Sequence, residues 1–121
     1  MKTVKFALLA VTLTSAFATA DDCVKADAPS IPDGASSTME QMLAGQKSVK
    51  AFQAANLEYM GCLEPMVSAA QAKLQDGEGT EEAVAAYKKL EETYNAAVSM
   101  EEEVAGAFNA QIKAYKAANP Q

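Results

Sequence analysis

The side chains able to do chemistry in this 121-residue chain are carboxylates, two cysteines, methionines and tyrosines; histidine, arginine and tryptophan are absent. Without histidine there is no Ser-His-Asp or Cys-His pairing and no imidazole ligand for a metal. Without arginine there is no bidentate fork for a phosphate or carboxylate. The glutamates cluster as Glu81-Glu82, Glu91-Glu92 and Glu101-Glu102-Glu103. General acid–base catalysis needs two carboxylates held across a dry cleft. Neighbours on a helix point about 100° apart, so none of these clusters forms one tight site. Lys88 and Lys89, four and three residues before Glu92, suggest a solvated, ion-paired face. Glu101 is the exception, because it falls within an apolar stripe; there it can mark the register, face a polar residue such as Asn56, or sit exposed where the seam opens.

Thioethers bind Cu(I), and Met39 and Met42 share a helix face, but their M-x-x-M spacing does not recur among Met60, Met66 and Met100, and core filling is the ordinary role of methionine. We expect no cofactor, no metal site and no catalytic residue. Cys23 and Cys62 stand 39 residues apart, which is not a C-x-x-C redox spacing, and no histidine can complete a zinc site. An even cysteine count in an oxidising compartment reads as one disulfide; a metal site and a redox pair are the alternatives.

The compartment is read from the start of the chain. Lys2 and Lys5 make a basic segment, Phe6 to Thr14 an apolar one, and Ala18-Thr19-Ala20 an A-x-A cleavage signal. That order is a secretory signal peptide. The apolar run is short of the roughly 18 to 20 residues that span a bilayer. Asp21-Asp22 directly before Cys23 oppose lipidation of that cysteine. Cleavage between Ala20 and Asp21 would leave 101 residues (121 − 20) and move the net charge from −6 to −8, since two lysines leave with the leader. We therefore expect a periplasmic or secreted protein with no stable membrane anchor. An acidic chain is also a poor partner for nucleic acid.

The elements follow from pattern. Residues 21–36 read as an extended arm, with Pro29 and Pro32 favouring polyproline conformation and Pro32-Asp33-Gly34 a turn. Ser37-Thr38-Met39-Glu40 fits a capping box with Ser37 as the cap. A helix then runs over about 37–75, with an apolar stripe at Met42, Val49, Phe52, Met60, Leu63, Val67 and Leu74. Gly45 and Gly61 weaken it modestly, and Pro65 predicts a kink or short break near 61–65. Asp76-Gly77-Glu78-Gly79 is a loop. Thr80 caps a second helix over about 80–118, whose stripe of Ala83, Tyr87, Leu90, Tyr94, Ala97, Glu101, Val104, Phe108, Gln111 and Tyr115 alternates steps of four and three, as in a coiled coil.

The fold class is thus all-α: an antiparallel two-helix hairpin with an extended N-terminal arm stapled by one disulfide. The arm from Cys23 to Ser37 spans about 43 Å if polyproline-like, and the helix from Ser37 to Cys62 about 38 Å. The arm can therefore turn back along the first helix and reach Cys62, with Val24 and Ile31 packing beneath it.

Cys23, Pro29-Ser30-Ile31-Pro32-Asp33-Gly34, Met39-Glu40-Gln41-Met42, Gln46 to Phe52 and Tyr59-Met60-Gly61-Cys62-Leu63 together resemble a group of small secreted, functionally uncharacterised proteins of Gram-negative bacteria. The resemblance covers about the first 40 residues after the leader. It implies a periplasmic location and Cys23–Cys62 pairing, and carries no activity. The aromatic residues Tyr87, Tyr94, Phe108 and Tyr115 are candidate contacts for a protein partner or a second copy of the chain. The function expected is a protein-interaction or structural module; the alternative is an envelope protein that binds a small molecule or metal ion.

Overall fold

A computed structural model describes residues 19–121. The expected signal peptide, apart from Thr19 and Ala20, lies outside the described residues. The described chain is helical, with no strand. Helix α1 spans Met39–Gln75 and helix α2 spans Glu81–Ala118; the two pack along each other as a hairpin. A 3₁₀ turn at Ala20–Asp22 precedes the arm, a departure from a wholly extended segment.

Local chemistry sets each helix end. The cap of α1 is Thr38, one residue later than Ser37. The Gln41 amide donates to Thr38 Oγ1 (3.2 Å), and the Thr38 amide donates to Gln41 Oε1 (2.8 Å). Thr38-Met39-Glu40-Gln41 fits the capping-box pattern as well as Ser37 to Glu40 does. The turn before it decides between them: Ser36 donates its hydroxyl to Asp33 Oδ2 (2.9 Å) and its amide to Asp33 O (3.2 Å), leaving Ser37 as the connector. At the far end Gly77 adopts φ +84°, where side chains other than glycine are strained. The Glu78 amide donates to Lys73 O (3.1 Å) and that of Gly77 to Leu74 O (3.4 Å), a Schellman stop. Thr80 Oγ1 accepts from the Ala83 amide (3.1 Å), and Glu81 and Glu82 occupy the first turn, at the positive end of the helix dipole.

Helix α1 is unbroken through Pro65. Pro65 and Gly61 are both exposed, so the Gly61 carbonyl that loses its helical partner is open to water.

The buried side of α1 is Met42, Gly45, Val49, Phe52, Asn56, Tyr59 and Leu63, a strict alternation of three and four. It meets Ala97, Val104 and Phe108 of α2. The Cys23–Cys62 disulfide is formed, with Cα atoms 5.7 Å apart, and the arm runs from it along the hairpin. Cys23 and Ala26 are buried; Pro29 and Pro32 are half-buried. That period of three belongs to polyproline conformation. It turns Val24 outwards, 85% exposed, against expectation, whereas Ile31 packs on the core as expected. Between Leu63 and Ala97, beyond the reach of the arm, every residue is at least partly exposed.

Two glycines admit the arm. A methyl group on Gly45 would meet Pro32 Cγ and Cδ at 2.7 and 2.8 Å; one on Gly34 would collide with the Gln111 carbonyl and sit 2.8 Å from the Tyr115 nitrogen. The Gly34 amide also donates to Gln111 Oε1 (2.8 Å). Alanine normally stabilises a helix over glycine by about 1 kcal/mol. Gly106→Ala, on an open face of α2, is expected to follow that rule. Gly45→Ala is expected to reverse it, and Gly34→Ala, in the turn before α1, to destabilise as well, each costing about 1 to 3 kcal/mol through overpacking. Urea unfolding of the three variants checks the signs.

Candidate functional site

Asn56, 2% exposed, is the buried polar residue of the interface. Its Nδ2 donates to Ala97 O (2.9 Å) and to Glu101 Oε2 (3.1 Å). The carboxylate in the α2 stripe therefore faces Asn56, and the pair pins the two helices in register. A polar residue at one seam position specifies alignment at some cost in stability. Asn56→Ala is expected to lose about 1 to 3 kcal/mol, having removed the donor to a partly buried carboxylate. Asn56→Leu is expected to fold at least as well as Asn56→Ala but to populate mixed oligomers. Urea unfolding measures the stability of both variants, and light scattering on the oxidised proteins reads their oligomeric state.

The other carboxylate clusters make no cleft. Glu81, Glu82, Glu91, Glu92, Glu102 and Glu103 are all exposed, as are Lys88 and Lys89. Among the described residues no group of three or more His, Cys, Asp or Glu side chains is placed to hold a metal ion. Met42 is buried in one core cluster with Met100 against it, and Met60 and Met66 pack on the other.

The four aromatic candidates separate. Tyr87 lies near the loop and donates to Glu91 Oε1 (3.4 Å); local desolvation, then the charge and hydrogen bond of Glu91, raise its pKa. Tyr94 packs against the cluster of Cys23, Tyr59, Leu63 and Ala97. Phe108 and Tyr115 come together at the open end of the hairpin. Phe108 is buried in the core and Tyr115 rests against the same cluster. Both line a groove of about 470 Å³ with Met39, Met42, Leu43 and Ile112.

That groove is the candidate site. The first turns of α1 supply Met39 and Leu43, and the last turns of α2 supply Ile112 and Tyr115. Met39 and Leu43 are 53% and 57% exposed, so one wall is open to water. Residues Met39 and Leu43 belong to no stripe recognised from the sequence. The available signal was their spacing of four, one position over from the core-facing residues.

Among the described residues no helix is long and apolar enough to cross a membrane. The disulfide is compatible with an extracellular or periplasmic protein. Compared with protein-family models, curated proteins and solved structures, the chain matches none. Its function must be reasoned from its own surface.

Proposed function

We propose that the chain is an interaction module of an oxidising compartment, periplasmic or secreted, that holds an apolar segment of another protein in its open-end groove. The observation that carries this reading is the exposure of Met39 and Leu43 beside Phe108, Ile112 and Tyr115. Large apolar side chains grouped on one face mark interaction surfaces more often than scattered ones do. Helix-in-groove recognition uses apolar anchors of this kind. The signal-like leader and the disulfide support export, with cleavage between Ala20 and Asp21. The lack of a catalytic constellation in the sequence favours binding over catalysis.

The test is crosslinking in cells that export the protein. A photoreactive phenylalanine placed at position 43 is expected to give protein adducts. The same residue at position 107, exposed elsewhere on α2, is expected to give none. Adducts of twice the chain mass would identify a second copy as the occupant. An absence of adducts from position 43, or equal adducts from both positions, would sink the reading.

The groove volume favours a second reading. About 470 Å³ falls within the roughly 300 to 1,000 Å³ of small-molecule sites. An envelope protein carrying an apolar small molecule would retain it in native mass spectrometry of material purified from the exporting cell. A retained mass of a few hundred daltons, lost from a Leu43→Lys variant, would support this reading over the first.

A further inference from the structure

The exposed apolar residues of α1 lie in line. Met39, Leu43 and Leu57 are its large hydrophobics most open to water, the last 68% exposed. With Gln46, Lys50 and Gln53 they follow steps of four, three, four, three and four, which keeps all six on one face. This second stripe adjoins the core stripe. The groove beside it continues into a shallower cavity of about 230 Å³, and the two share Gln46, Phe108 and Ile112. Arm residues line neither cavity. From Met39 to Gln53 the combined groove runs about 21 Å, the length of a helix of about fourteen residues.

Charge selects the occupant. The chain has 16 acidic side chains against 10 lysines, yet the charged residues lining the combined groove are Lys50 and Lys116. Lys116 lies at its open end with Met39, and Lys50 toward its inner end. The acidic run Glu101 to Glu103 lines neither cavity. A cationic, apolar channel on an otherwise acidic molecule attracts the opposite charge and rejects like-charged competitors.

We infer that the groove docks an acidic amphipathic helix of about fourteen residues from a partner protein. Its apolar face seats on Leu43, Phe108 and Ile112, and its carboxylates reach Lys50 and Lys116. The inference rests on the reading of the groove as a protein interface. An anionic membrane is disfavoured because the exported chain carries a charge of −8 (−6 less two leader lysines), which opposes approach to such a surface. A second copy pairing through its own exposed α1 stripe would set Lys50 and Lys116 against like charges, and the apolar stripe of its α2 is already used inside its own hairpin.

The experiment uses the oxidised, exported protein and two labelled synthetic helices. One carries leucines at steps of three and four flanked by glutamates; its twin has lysine at every glutamate. Fluorescence anisotropy is expected to show the acidic helix binding about tenfold tighter than its twin at 50 mM salt, with the difference shrinking at 300 mM. A Lys50→Glu/Lys116→Glu variant is expected to reverse the preference while keeping its helical circular dichroism. Equal binding of the two peptides, or a preference unchanged by the charge reversal, overturns the inference. Binding to phosphatidylglycerol vesicles in preference to the acidic helix overturns it too. If neither helix binds while crosslinks from position 43 persist, the acidic class of partner is wrong and the interface reading survives.

Discussion

Replacing both Cys23 and Cys62 by serine is expected to cost roughly 3 to 4 kcal/mol and to lower the thermal midpoint by roughly 15 to 25 °C. The bond joins residues 39 apart in sequence, and closing a loop of that length removes a large share of the freedom of the unfolded chain. It also holds the arm by its far end. Along the arm, Ala26 is buried and Ile31 packs on the core, while the turn at its other end is tied by the Gly34 amide to Gln111. Once the staple is gone, the arm is retained by these contacts alone. The backbone of residues 23–31 should then become mobile on the nanosecond timescale in NMR relaxation, while the middle of α1 and α2 stays ordered. Calorimetry of the oxidised protein, the reduced protein and the double serine variant measures the loss. A cost below about 1 kcal/mol would mean that unfolded-state entropy is not what the bond controls.

The reason the arm matters is geometric. Two helices bury only facing stripes and leave both flanks of the seam open. The arm closes one flank from Cys62 to the start of α1, and burial follows it: every buried residue of α1 lies at or before Leu63, and every buried residue of α2 at or after Ala97. The loop-proximal half, held by half-buried Met66, Ala70, Tyr87 and Leu90, is the part expected to open first. The opposite flank is the groove proposed as the binding surface.

Much of this architecture could be read from the sequence, and the misses share a cause. The stripe of α2 is legible because most of its seam positions carry large side chains at regular steps, and Ala83 and Ala97 fall on the same steps. Glu101 stood out as a break in that stripe, and its partner proved to be Asn56. The stripe of α1 is less legible. Gly45 and Asn56 carry no hydrophobic weight, so apolarity drew the reading toward Met60, Val67 and Leu74, which are only half-buried. Gly45 is in the seam because Pro32 needs the space, a requirement that exists only once the arm is docked. Val24 was misplaced because apolar character was weighed without the period of three that the prolines impose. The groove escaped notice for a related reason. Met39, Leu43 and Leu57 share a face, but exposure cannot be read from a pattern that looks the same whether or not a partner covers it.

Leu63→Ala is the second large loss expected, at about 3 kcal/mol within the 2 to 5 kcal/mol usual for such truncations. Leu63 is 0% exposed, the most completely buried large side chain described. It packs with Cys23, Tyr59 and Ala97, with Met60, Met66 and Tyr94 around them. Its cluster therefore joins all three segments: the arm through Cys23, α1 through Tyr59 and α2 through Ala97. Met66 is flexible enough to fill part of the space left behind, which holds the cost below the upper limit. Because Cys23 belongs to the same cluster, the effect should depend on the staple. With the disulfide broken and the arm detached, Leu63 loses its cover on that side, and truncating it then removes less burial. The loss for the variant lacking Cys23, Cys62 and Leu63 together should fall short of the sum of the separate losses by about 1 kcal/mol, within the range found for residues in contact. Urea unfolding of the four proteins in this cycle measures that shortfall. Strict additivity would mean that the arm does not bury Leu63, and that the disulfide acts on the unfolded chain alone.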